Sequence, residues 1–125
     1  MRKCKIGIIG LGTVGLGVYK ILTSQVDAHP ILKEIEIAKI AVKDLNKKRD
    51  IKLEADLITD DPFQLINDPK IDVIVEVMGG IDLAKDIIMQ SLKAGKSVVT
   101  ANKAVIARYG EEIYETACKE GVYIL

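Results

Sequence analysis

Apolar and polar positions along this chain alternate between two periods. Lys5-Ile6-Gly7-Ile8-Ile9 is a short apolar run of strand type. Val14, Val18, Ile21, Leu22 and Val26 then recur at helical spacing and predict a helix over about 13–27, broken by Asp27-Ala28-His29-Pro30. A second strand, rich in Ile and Ala, is expected over about 35–42 and ends at Val42. Lys43 to Arg49 is charged and turn-like, followed by a short strand near Leu57-Ile58 and a short helix after Pro62. The clearest later strand runs from Ile71 to Val77 and stops at Gly79-Gly80. From about Asp82 to Ala94 the pattern is helical, with Ala84, Ile87, Ile88, Ser91 and Leu92 inward and Gly95 as its stop. Lys96 to Thr100 reads as a strand, Glu111 to Glu120 as a helix stopped by Gly121, and Val122 to Leu125 as the opening of another strand. Strands alternating with helices predict an α/β, doubly wound, mainly parallel sheet with helices on both faces.

Composition narrows this picture. The 125 residues suit one domain, 1–125, and 49% hydrophobic against 4% aromatic implies a core of Ile, Val, Leu and Ala, the usual filling of a covered parallel sheet. Acidic and basic residues balance at 18 each, and one Phe and four Tyr are too few to interleave a basic face, so neither nucleic acid nor a membrane surface is an expected partner. Cys4 and Cys118 match no metal spacing and read as reduced, buried thiols, and His29 as a solvated loop residue rather than a ligand, so no metal is expected. Arg2, Lys3 and Lys5 before the apolar run Ile6 to Val18 imitate a signal peptide. That run carries five glycines, has no cleavage site after it and is too short to span a bilayer, so a soluble cytoplasmic protein is expected. Because the sequence stops inside an element, it is expected to be a fragment of a longer protein.

The chemistry lies where strands end. Gly10-Leu11-Gly12-Thr13-Val14-Gly15 follows an apolar strand and opens an amphipathic helix, the context that turns a weak glycine pattern into a dinucleotide-binding, Rossmann-type signature. Gly10 permits a tight turn, Gly12 lets the backbone approach a pyrophosphate, and Gly15 lets the helix pack closely on the strand. The helix start offers N–H groups and partial positive charge, with the Thr13 hydroxyl and the Val14 N–H as further contacts. Gly7 and Gly17 read as packing glycines.

At the end of the second strand, Val42-Lys43-Asp44 with Lys47, Lys48 and Arg49 places cations where a ribose 2′-phosphate would lie, so NADP(H) is preferred and NAD(H) remains possible. Asp44 can instead turn inward to a ribose hydroxyl. Gly79 and Gly80 suit close approach under a nicotinamide or its ribose. Glu76 is either a buried partner for a cation or a strand-end carboxylate. Asn102 can cap the following helix or bond the nicotinamide side. Lys103 sits where a cation opposes the helix dipole, which points to polarising a carbonyl or donating a proton in the crevice.

Taken together, Gly10 to Gly15 with Gly17, Val42-Lys43-Asp44 with Lys47-Lys48-Arg49, Val75-Glu-Val-Met-Gly-Gly80 and above all Val99-Thr-Ala-Asn-Lys103 resemble homoserine dehydrogenase along the whole chain. The resemblance implies interconversion of L-homoserine and L-aspartate 4-semialdehyde with NADP(H) or NAD(H), a step shared by threonine, methionine and isoleucine synthesis. It implies cofactor contacts at Gly10, Gly12, Thr13, Val14, Gly15, Lys43, Gly79, Gly80, Thr100 and Asn102, with Lys103 beside nicotinamide and substrate. Many relatives carry arginine where this chain has Lys43, which keeps the charge but loses the bidentate fork. The family continues into a substrate and dimerisation domain with a second lysine, generally assigned as the main proton donor, and the full-length protein is expected to be a homodimer or higher homo-oligomer. Two other readings stay open: the nucleotide domain of another two-domain dehydrogenase, of aspartate or sugar-alcohol type, and a dinucleotide-sensing module without chemistry.

Overall fold

The computed structural model describes residues 3–24, 30, 34–46 and 53–125. The order of elements is β1 (Cys4–Ile9), α1 (Thr13–Thr23), β2 (Ile35–Ala41), β3 (Ile58–Thr59), α2 (Pro62–Ile66), β4 (Val73–Glu76), α3 (Asp82–Lys93), β5 (Ser97–Thr100) and α4 (Lys103–Glu120). Every pairing among them is parallel, and the sheet order is β3-β2-β1-β4-β5. Ile124 adds a parallel bridge to Val98, with Leu125 N–H on the Val98 carbonyl at 3.0 Å, so Val122 to Leu125 does begin a sixth position at the β5 edge. The expected doubly wound α/β fold is the one observed.

Two apolar clusters hold the sheet between its helices. On one face Ile9, Ile74 and Val98 pack under Leu65 and Ile66 of α2, Ala84, Ile87, Ile88 and Leu92 of α3, and Val105, Ile113 and Ala117 of α4. On the other, Ile6, Ile8, Ile40 and Val75 meet Val18, Tyr19 and Leu22 of α1. The period-two alternation of β1 creates this division, because Ile6 and Ile8 point to α1 while Ile9 points away. Gly7 lies with Ile9 on the first face, where a Cβ would stand 2.8 Å from Leu65 Cδ2, so it is a packing glycine. Gly17 is not, since a Cβ there would meet nothing within 4 Å.

Local signals account for most boundaries. Asp61 caps α2 by accepting from Phe63 N–H at 3.0 Å, with Pro62 in the first turn where its missing N–H costs nothing. Gly95 and Gly121 follow α3 and α4 with φ of +81° and +69°. The α3 face expected from periodicity is the buried one, residue for residue.

Other boundaries differ from expectation. The first helix ends at Thr23 with Ser24 as its cap; residues 25–27 of the expected span, His29, and the cations Lys47, Lys48 and Arg49 lie outside the described residues. β4 is shorter than the expected 71–77, because Ile71 N–H turns to the Asp68 carbonyl before the ladder starts. The helix expected at 111–120 instead begins at Lys103 and runs straight through Gly110, which is buried, its Cβ position only in ordinary contact with Ile106 and Tyr114. Packing overrides the weak helix propensity of one glycine. Cys4 is half-buried and Cys118 lies exposed on α4, so the expectation of two buried thiols fails at Cys118.

One buried cation gave no signal in the sequence. Lys96, 5% exposed at the entry to β5, donates through Nζ to the carbonyls of Asp68 and Ile71, both at 2.6 Å. Burial lowers its pKa, opposed by the negative charges of Asp68 and Asp72. It fastens the α2–β4 connection to β5 at the amino edge of the sheet, opposite the edge that carries the motifs. No helix among the described residues is long and apolar enough to cross a membrane.

Candidate functional site

The sheet order reverses between β1 and β4, and the loops leaving their carboxyl ends form the crevice in which open α/β sheets bind ligands. Backbone bonds assemble that edge. Gly10 N–H donates to the Ala41 carbonyl at 2.9 Å, Val77 N–H to that of Ile9 at 3.0 Å, and Ala101 N–H to that of Glu76 at 3.2 Å. The glycine loop therefore touches the end of β2 on one side and, through β4, the start of the β5–α4 connection on the other.

The three glycines of the loop do different work. Gly10 has φ +103°, and a Cβ would lie 2.9 Å from the Val77 carbonyl oxygen. At Gly15 a Cβ would sit 2.1 Å from the Gly10 carbonyl oxygen, so α1 presses directly on the turn. Gly12 is different: nothing within 4 Å would meet a Cβ there, so packing within the chain gives no reason for glycine at that position. It is the N-cap of α1, no side chain caps it, and Thr13 and Val14 behind it are exposed. An open approach to an uncapped helix start is the arrangement a dinucleotide pyrophosphate requires.

On the adenine side, Lys43 is exposed two residues beyond β2. Asp44 Oδ1 accepts from Asn46 N–H at 2.9 Å, a local turn that engages this oxygen without a ligand.

Five residues join the other two loops: Glu76, Met78, Gly80, Thr100 and Asn102. Glu76, at the end of β4, is fully buried and faces Thr100 across the parallel register. Its Oε1 accepts from the Thr100 hydroxyl at 2.5 Å and its Oε2 from Met78 N–H at 3.0 Å. Thr100 Oγ1 accepts in turn from Asn102 N–H at 3.0 Å. Asn102 caps α4 through Oδ1, which accepts from Val105 N–H at 3.2 Å, and its Nδ2 donates to the Gly80 carbonyl at 2.6 Å. Of the two roles expected for Glu76, the strand-end carboxylate is observed, with a hydroxyl and an amide for partners instead of a cation. Sequence reasoning named Thr100, Asn102 and Gly80 but not the bonds among them. Gly80 has φ +90°, and neither Gly79 nor Gly80 has a neighbour within 4 Å of a Cβ position, leaving this loop open to the crevice. Lys103 is exposed at the first position of α4.

Desolvation raises the Glu76 pKa, with the bonds from Thr100 and Met78 opposing it. A carboxyl with a raised folded pKa binds more protons folded than unfolded, so its contribution is complete below the ordinary value of 4.5 and is lost as pH rises through the folded pKa. Glu76→Gln removes that dependence. The melting temperature of the Gln variant minus that of the parent should therefore increase from pH 4 to pH 7, and a flat or falling difference in thermal scans would contradict the assignment.

An all-parallel open sheet with a glycine loop and an uncapped helix start at its switch point defines a Rossmann-type dinucleotide-binding domain. The comparisons with known proteins specify which. Residues 10–125 match the family described as homoserine dehydrogenase, NAD binding domain. The chain is 47% identical over 121 residues to homoserine dehydrogenase of Synechocystis sp. and 40% identical over 123 residues to that of Bacillus subtilis, covering 97% of this chain and 28% of the relative in each case. Crystallographic homoserine dehydrogenase from S. aureus at pH 7.0 superposes with a TM-score of 0.88 at 38% identity, over 99% of this chain and 32% of that one. The chain belongs to the homoserine dehydrogenase family, as its NAD-binding domain, and its cofactor is a nicotinamide dinucleotide. It spans under a third of the length of these relatives.

Proposed function

We propose that this chain is the cofactor half of an NAD(P)-dependent homoserine dehydrogenase, interconverting L-homoserine and L-aspartate 4-semialdehyde, with NADP(H) preferred. The observation that carries the reading is the joining of the Thr100 to Lys103 segment to the glycine-loop edge of the sheet, through Glu76 and Gly80. Neither the sugar-alcohol or aspartate alternative nor a sensing module draws comparable support from the relatives.

On this reading the uncapped start of α1 and the open backbone at Gly12 take the pyrophosphate, while Thr13, Val14 and Gly15 supply its donors. Gly79, Gly80, Thr100 and Asn102 border the nicotinamide end. When bound, the cofactor would supply a hydride to the carbonyl carbon of the semialdehyde or, in the reverse direction, take one from the carbinol carbon of homoserine. Lys103, exposed at the head of α4, places positive charge on the substrate side and stabilises the nascent alkoxide oxygen. The proton comes from the second lysine of a substrate and dimerisation domain following this one, whose assembly is a homodimer or higher homo-oligomer, and this chain alone turns over homoserine negligibly. A soluble cytoplasmic setting, in threonine, methionine and isoleucine synthesis, belongs to the same proposal.

Cofactor choice is tested by titrating NADPH and NADH into the parent and Lys43→Ala chains. NADPH should bind more tightly to the parent, and the substitution should weaken it about tenfold, the worth of one charge-assisted contact, while leaving NADH within about twofold. Equal affinities for both cofactors, unmoved by the substitution, would sink the 2′-phosphate assignment. For the chemistry, Lys103→Ala in the full-length enzyme should depress homoserine turnover; normal homoserine kinetics would favour the rival dehydrogenases.

A further inference from the structure

Every buried strand residue near this edge is apolar except one. Ile74 and Val75 precede Glu76 in β4, and Ile9 and Ala41 end the neighbouring strands, all buried. An apolar residue at Glu76 would spare the desolvation of a charged group, so a carboxylate retained there needs a reason beyond filling space. Its bonding supplies one. One oxygen is given to each of two loop roots: Oε2 to the main chain of the β4–α3 loop at Met78, and Oε1 to Thr100, the last residue of β5, from which the β5–α4 loop leaves. The Thr100 hydroxyl passes the connection to Asn102 N–H, and the Asn102 amide closes the ring by donating to Gly80, back in the first loop. Neither loop can shift without breaking a bond to the other.

We propose that Glu76 is a positioning residue for the nicotinamide end of the site, coupling the 77–81 and 100–103 loops so that each holds its cofactor-facing backbone only while the other is in place. This rests on the reading, made above, that Gly79, Gly80, Thr100 and Asn102 border the nicotinamide. Glu76 itself is buried and acts through Met78, Thr100 and Asn102. Its effect is therefore confined to one end of the cofactor. The adenine and pyrophosphate end depends on α1, Gly12 and Lys43, and neither bond of the Glu76 carboxyl goes to any of these.

The test compares two probes, NADPH and the 2′-phosphorylated form of ADP-ribose (called ADP-ribose below), which differs from NADPH only in lacking the nicotinamide. Glu76→Met keeps the length and volume of the side chain and removes both acceptors. It should weaken NADPH by about tenfold to a hundredfold, the range of ordinary coupling between sites, and leave ADP-ribose within about twofold. Glu76→Gln, whose amide can accept from Met78 N–H and donate to Thr100 Oγ1, should keep NADPH within about threefold of the parent. A folded Met variant with parental NADPH affinity overturns the proposal, and so does an equal loss for both probes, which a merely structural role would give. Hydrogen exchange on the unsubstituted chain provides an arm that needs no variant. The Met78 and Asn102 amides should share one protection factor and slow together on adding NADPH but not ADP-ribose; unequal protection also overturns the coupling. If the unsubstituted chain binds NADPH no tighter than ADP-ribose, the nicotinamide-side reading fails before any substitution is made, and the proposal with it.

Discussion

Gly15→Ala is expected to destabilise the domain by about 3 kcal/mol, at the upper end of ordinary overpacking, and to lower its melting temperature by roughly 10 °C. The added methyl would sit 2.1 Å from the Gly10 carbonyl oxygen and 3.1 Å from Val77 Cγ2. The carbonyl cannot easily retreat. Gly10 N–H is held on Ala41 at 2.9 Å, and Gly10 Cα already faces Val77 so closely that a Cβ there would meet its oxygen at 2.9 Å. Relief must come from lifting α1 off the sheet, which opens the Val18, Tyr19 and Leu22 contacts with the core. Gly17→Ala on the same helix is the control with the opposite sign: its Cβ meets nothing, and alanine gains about 1 kcal/mol of helix propensity over glycine. Thermal unfolding of the two variants decides the matter. A Gly15→Ala chain melting within 2 °C of the parent, on the order of the resolution expected for such scans, would mean α1 is not seated as described.

The same two glycines show what the sequence could and could not convey. Both stand in one helix, and their spacing alone could not separate a glycine required by contact from one that is not. Gly15 is legible because the motif attaches a physical role to that position; the packing role expected of Gly17 has no such support, and its Cβ position is open. Where a signal is local and periodic, it reads well: α3 shows its buried face in its own 3.6-residue repeat, and Asp61-Pro62 announces α2. The helix expected from Glu111 starts too late, because the burial of Gly110 within α4 is not visible along the chain. That error carried a second one. Counted from Lys103, the buried phase of α4 passes through Val105, Ile113 and Ala117 and leaves Cys118 outside, whereas a helix begun at Glu111 has too few turns to show it. Lys96 and the Glu76 ring were beyond reach for another reason. Lys96 bonds carbonyls 25 and 28 residues away, and Glu76 meets Thr100 only because β4 and β5 pair in that register. Residue types at the site could be named from the sequence; the bonds that give them a common geometry depend on the sheet.

Gly12→Ala should separate binding from stability. The backbone at Gly12 has φ −77° and ψ −153°, a conformation open to any L-residue, so alanine enters without strain. With nothing within 4 Å of the new Cβ, no protein contact is disturbed, and loss of glycine flexibility from the unfolded chain favours the variant by about 0.4–1 kcal/mol. A methyl group at that point stands instead in the space before the uncapped N–H groups of α1, where the pyrophosphate would come within contact distance of the backbone. Overpacking of one methyl against a fixed ligand costs about 1–3 kcal/mol, so dinucleotide affinity should fall by roughly tenfold to a hundredfold or somewhat more. The melting temperature without cofactor should be unchanged or slightly higher, while the rise in melting temperature on adding NADPH should shrink, because that rise depends on ligand concentration over Kd. Titration of NADPH, followed by its fluorescence, gives the affinity directly. An affinity within twofold of the parent, on the order of measurement error for such titrations, would remove the reason for glycine at this position, and the pyrophosphate would have to lie elsewhere along the edge. A loss matched by an equal fall in unfolding stability would instead assign Gly12 the kind of packing role that Gly15 holds.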